Sequence, residues 1–251
     1  METVKLCCVV LGLLWTFSST SAHSEDIHVD NQESCSGNAK WCSSSAHKVD
    51  HDYYEELWEE NLDLAKQTLK LPFLQHMQLG DLQADDYTVF MIQDIYYLAK
   101  VTDMLEVMSN KDMPEDLKEF MKGRYESYDR FRTEMLKTFN LNGVNEIKVT
   151  EVMESYLAEY KRIMEKEEPI MFAVGLLPCN RLWAWIADQL NIGYGNAYWT
   201  WKKNNMGGHT EKHFKALLNK YLNGENFVKA NEIFRKQMNN EHDFFENSLK
   251  Q

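Results

Sequence analysis

From Asp50 onward the apolar residues recur at three- and four-residue steps, the rhythm of amphipathic helices. In "DHDYYEELWEENLDLAKQTLK" Leu57, Asn61, Ala65 and Leu69 stand four apart, and Trp58, Leu62 and Leu64 widen the stripe, so one helix is predicted that ends before Pro72. A short piece, "PFLQHMQLG", stops at Gly80. The stretch "ADDYTVFMIQDIYYLAKVTDMLEVMSN" is apolar nearly all round between Tyr87 and Met104, as a helix at the centre of a domain would be. "PEDLKEFMKGRYESYDRFRTEMLKTF" opens on Pro114 and two acids, and "TEVMESYLAEYKRIMEKE" follows Thr150 as its N-cap. The segment Met171–Leu190, "MFAVGLLPCNRLWAWIADQL", is largely apolar yet carries Pro178 and Cys179 side by side. "TEKHFKALLNKYLNG" and "NFVKANEIFRKQMNNEHDFFENSL", parted at Gly224, close the chain. No β-branched alternation of strand length interrupts this pattern, which predicts an all-α, single-domain bundle of about seven or eight helices over residues 50–251.

The N-terminus reads differently. Residues 1–22 hold one lysine, Lys5, an apolar core from Leu6 to Phe17 and small residues up to Ala22, the pattern of a signal peptide cleaved after Ala22 and hence of a secreted protein. That apolar run is shorter than the roughly 20 residues of a spanning helix, and no later segment is read as a span. Residues 23–49 form a polar arm without period. Cleavage removes Cys7 and Cys8 and leaves Cys35, Cys42 and Cys179. Cys35 and Cys42 flank "SGNAKW" and are expected to close a small disulfide loop worth about 2.5 kcal/mol. Cys179 is then an odd cysteine, open to three readings: inert packing, a bridge to another cysteine or chain, or a reactive thiol.

Charge narrows the ligand class. A formal net charge of -12 with no block of Lys or Arg argues against nucleic acid and anionic membranes and suits a cationic ligand. Within the apolar helix, Asp94 of "FMIQDIYYL" has little chance of facing water, and Tyr97 lies on the same face. Cys179 and Trp183 also share a face, while Pro178 withdraws the amide that would bond the carbonyl of Val174. Arg181 points about two residues round the helix from the thiol and is not counted on to activate it. Glu241 either turns inward with Phe244 and Phe245 or belongs to a solvated face. His209 and His213 are four apart but lack the Glu of a zinc helix, and Thr210 is read as a cap, so no metal site is predicted. Glycine-rich phosphate loops are absent, and no cofactor is expected.

Three segments together resemble the thiaminase II (TenA) family: "FLQHMQLGDLQADDYTVFMIQDIYYLAKV", "GLLPCNRLWAWIADQL" and "NNEHDFFENS". The similarity runs in the family's order from about Tyr53 to Asn247. It implies a haem-oxygenase-like all-α fold with an aminopyrimidine pocket between helices. It also implies roles: Cys179 as nucleophile, Glu241 as proton donor, Asp94 as the carboxylate that binds the aminopyrimidine, and Tyr97 as the tyrosine that tunes the cysteine. Trp183 stands where the family usually has a substrate-contacting tyrosine, and Met206 where it has a pocket tyrosine. The implied activity is cleavage of thiamin through a covalent cysteine intermediate, captured by water as in a hydrolase or by an amine or thiol acceptor as in a base-exchange transferase. Family members commonly form homo-oligomers. The alternatives are a secreted, non-catalytic thiamin- or aminopyrimidine-binding protein and, less favoured, a haem-handling enzyme using His51 or His76.

Overall fold

In the computed structural model, residues 51–249 are described. The leader, the polar arm and the expected Cys35–Cys42 pair lie outside the described residues. The described chain builds ten helices: α1 (Tyr53–Glu59), α2 (Leu62–Thr68), α3 (Pro72–Leu79), α4 (Ala84–Ser109), α5 (Glu115–Thr138), α6 (Glu151–Lys166), α7 (Pro169–Gln189), α8 (Trp199–Asn205), α9 (Glu211–Tyr221) and α10 (Phe227–Asn247).

Two of these exceed the count read from the pattern. The first predicted helix is broken at Asn61, which is buried and uses its amide to bond the Leu57 carbonyl at 2.8 Å and Asn231 of α10 at 2.7 Å. A side-chain amide that competes for the backbone in this way ends a helix that periodicity alone would carry through. The other addition is α8, seven residues too short to announce a period. Turn chemistry behaves as its residues dictate: Gly80 ends α3 at φ 80°, in the left-handed region that favours glycine. Thr150 caps α6 by accepting from the Met153 amide. Thr210 sits at the N-cap of α9 but does not cap it; its hydroxyl bonds the buried Tyr54 hydroxyl at 2.6 Å instead.

The long helices set the site. α4 lies along α5 and α6, and α7 packs against α10, α6 and α8. α7 is buried over nearly its whole circumference, with Phe172, Val174, Leu176, Leu177 and Leu182 fully inaccessible. By length and composition it is apolar enough to cross a membrane, contrary to the sequence expectation, but 83% of its apolar window is covered by the rest of the fold. Gln93 of α4 anchors the α5–α6 connection, donating to the Lys148 carbonyl at 2.9 Å and accepting from the Thr150 amide at 3.1 Å. Thr150→Ala removes the cap and the hydroxyl's 3.4 Å bond to Gln93 while leaving the two backbone bonds of that anchor, and we expect a loss of about 1 kcal/mol in urea unfolding with an unchanged slope.

Candidate active site

Four helices converge on one polar cluster within this apolar core. α7 contributes Cys179 and Trp183, α10 contributes Glu241, α4 contributes Asp94 and Tyr97, and α6 contributes Tyr156 and Tyr160. All five residues singled out for chemistry in the sequence therefore belong to one place or its walls, and the two α6 tyrosines join them.

Glu241 settles the choice left open by its sequence context: it turns inward and is 1% exposed. Burial of a carboxylate needs compensation, and each oxygen here has a donor. The Tyr156 hydroxyl donates to Oε1, and the Trp183 indole N–H donates to Oε2 at 2.9 Å. The Cys179 thiol is a third partner. Burial is the largest influence and raises the Glu241 pKa above its ordinary value; Trp183, Tyr156 and Cys179 oppose that rise. Trp183 thus turns its polar atom to the carboxylate, while its ring stacks on Phe90 at 5.6 Å and packs on Phe245 at 5.2 Å.

The thiol is similarly enclosed. Burial pushes the Cys179 pKa well up, the charges of Glu241 and Asp94 push it further, and the Tyr97 hydroxyl works in the opposite direction. In the resting state the cysteine is a neutral thiol beside a carboxylate able to take its proton. The residue nevertheless keeps partial exposure, so it is not sealed into the core.

Asp94 corrects a sequence expectation. It is partly exposed rather than fully buried, because the helices around α4 do not cover it as completely as the apolar residues flanking it imply. Its charge is still felt at the Cys179 sulfur. Met206 is 39% exposed at the end of α8. Arg181 is drawn to the opposite side, where it bonds the Tyr54 carbonyl at 2.9 Å and Glu55 at 2.5 Å and lies over the Tyr54 and Trp58 rings. His51 and His76 each bond a nearby acid, Glu56 and Asp81, at 2.9 Å.

The sequence reading did not single out Tyr156 and Tyr160. They stand four apart on the apolar face of an amphipathic helix, and a buried tyrosine hydroxyl needs a partner, which is the signal that could have found them. Tyr160 donates to the Gly175 carbonyl at 3.0 Å, and the Tyr97 and Tyr160 hydroxyls are 2.8 Å apart.

No protein-family model and no curated protein matches the chain. Solved structures do. A TenA homologue protein from P. horikoshii OT3 aligns over 80% of this chain and 99% of its own, at 18% identity and a TM-score of 0.67. A candidate TenA-like thiaminase from Sulfolobus solfataricus P2 aligns over 78% and 95%, at 17% identity and 0.61. The haem-bound heme oxygenase-1 of the cyanobacterium Synechocystis sp. PCC6803 aligns over 80% and 95%, at 10% identity and 0.55. At these identities the likeness concerns architecture: the chain has the all-α fold shared by TenA homologues and heme oxygenase.

Proposed function

We infer that the protein is a thiamin-degrading enzyme that breaks the bond between the pyrimidine methylene and the thiazolium nitrogen. The observation that carries this reading is the contact of the thiol of a half-buried cysteine with a buried, doubly hydrogen-bonded carboxylate and a tyrosine hydroxyl, next to a second carboxylate. Support also comes from the fold shared with a candidate TenA-like thiaminase and from the net charge of -12, which suits a cationic substrate.

The chemistry follows from the protonation states. The Cys179 thiol passes its proton to the Glu241 carboxylate, and the thiolate adds to an electron-poor carbon of the pyrimidine ring. Glu241 then protonates the ring nitrogen that receives the electron pair. The methylene–nitrogen bond breaks, and its electrons leave with the thiazole, which departs neutral because it was bound as a cation. Water, or an amine or thiol acceptor, adds to the exposed methylene and gives up a proton. The proton given up by the acceptor is released to water; expulsion of the thiolate restores the aromatic ring as the ring nitrogen hands its proton back to Glu241, and Glu241 returns that proton to Cys179. Asp94 is assigned to the amino group of the pyrimidine, and the Phe90, Trp183 and Phe245 rings form the apolar wall behind Glu241. In this reading the leader of residues 1–22 sends the enzyme out of the cell.

Incubating the purified protein with thiamin, with and without a pyridine or aniline, and reading products by mass spectrometry tests the assignment. Hydroxymethylpyrimidine with thiazole alcohol supports hydrolysis, and an amine adduct supports base exchange; intact thiamin overturns the enzyme reading. Cys179→Ser should abolish turnover with helicity unchanged by circular dichroism. Because the active form pairs a neutral thiol with an ionised Glu241, kcat/KM should rise with pH through a midpoint above 4.5 and hold its plateau toward the raised thiol pKa. Glu241→Gln should remove that acid limb and lower kcat/KM by about 10²–10⁴-fold. Trp183→Phe withdraws a donor from the carboxylate, so its limb should move to higher pH; a limb that stays put would disconnect it from Glu241.

A further inference from the structure

Tyr160 takes no direct part in the steps above, yet its hydrogen bonds constrain Tyr97, whose hydroxyl opposes the rise of the Cys179 pKa. Each tyrosine hydroxyl has a single proton to donate. Tyr160 gives its proton to the Gly175 carbonyl at 3.0 Å. At the 2.8 Å contact between the two hydroxyls Tyr97 must therefore be the donor and Tyr160 the acceptor. The only proton on Tyr97 is thus spent on Tyr160, and in the resting arrangement Tyr97 has none left for the Cys179 sulfur. All three groups are buried on different helices, so the chain Tyr97 to Tyr160 to Gly175 is held in place. Gly175 precedes Cys179 by one helical turn, which puts the far end of the chain on the same helix as the thiol.

We propose that Tyr160 is a positioning residue that holds the Tyr97 proton away from the Cys179 sulfur until the thiolate forms, at which point the hydrogen-bond chain reverses. On reversal the thiol proton goes to Glu241, the Tyr97 hydroxyl rotates from Tyr160 to the sulfur, and the Tyr160 hydroxyl rotates from the Gly175 carbonyl to the Tyr97 oxygen. No covalent bond in the tyrosines breaks, and every proton keeps an acceptor. The cost of the reversal is the Tyr160–Gly175 bond, and the gain is a charge-assisted bond to sulfur. The device keeps the nucleophile quiet and makes its activation a concerted event. The other titratable groups felt at the thiol or by these tyrosines are Glu241 of α10, Asp94 of α4, Tyr128 of α5 and Tyr156 of α6, with Arg124 acting on Tyr128.

This inference rests on Cys179 being the reacting group but not on thiamin as substrate, and its test uses neither thiamin nor turnover. The pH dependence of iodoacetamide alkylation, followed on the Cys179-bearing peptide by mass spectrometry, reads the thiol directly. Tyr160→Phe frees the Tyr97 proton for the sulfur, so the titration should move down by about half to one pH unit, equivalent to about three- to tenfold more thiolate at a fixed pH below the midpoint. The shift should vanish when Tyr160→Phe is made in a Tyr97→Phe background. Loss of packing alone would not make the effect depend on the Tyr97 hydroxyl. An unchanged titration, an upward shift, or a downward shift that survives without Tyr97 overturns the proposal. If the phenylalanine variant does not fold, Tyr160→Met, with an adaptable apolar side chain of similar reach, makes the same comparison. Inactivity toward thiamin alongside the predicted shift would fault the substrate assignment and leave the relay standing.

Discussion

A carboxylate at the centre of a helical bundle is tolerated only if the surrounding helices bring it donors, and Glu241 makes that demand of two of them. Tyr156 answers from α6 and Trp183 from α7, so the side chain of α10 fixes how those two helices face each other. The demand is costly in stability and useful in chemistry. Isolated in an apolar core the acid would simply stay protonated; with donors on both oxygens it can ionise, and with the thiol beside it there is a proton to take. Removing a donor would leave the charge short of a partner, and the geometry of the site would relax with it.

α7 carries the consequence into packing. Its middle is so largely apolar and covered that the polar groups there are satisfied within the protein. Asn180 bonds back to the Leu176 carbonyl at 2.8 Å, and Tyr160 reaches the carbonyl of Gly175. Pro178 lies between Gly175 and Cys179 on the chain, and a proline there takes one backbone donor out of the ladder.

Much of this could be read before any coordinates. The 3.6-residue rhythm gave the long helices and their order, because each helix buries a continuous stripe, and Pro114, Thr150 and Gly80 marked real ends. Breaks caused by tertiary contacts could not be read: Asn61 ends α1 because Asn231, some 170 positions away, holds its amide. Thr210 was misread for the same reason, since its hydroxyl finds Tyr54 in space rather than its own helix in sequence. At the site, Cys179, Trp183, Asp94 and Tyr97 stood out as polar or reactive residues in apolar runs. Glu241 was ambiguous in its charged neighbourhood, and only the donors from α6 and α7 decide its direction. The tyrosines of α6 were hidden because an aromatic ring on an apolar face satisfies the pattern, while the hydroxyl that gives it a role does not alter periodicity.

The enclosed, protonated state of Cys179 has one more consequence. Disulfide exchange and the first steps of sulfur oxidation both require the thiolate, and a thiol whose ionisation is pushed well above the ordinary range is largely invisible to them. The same burial that leaves the sulfur dependent on Glu241 for activation therefore acts as chemical camouflage, under which a cysteine can persist as a thiol among oxidants.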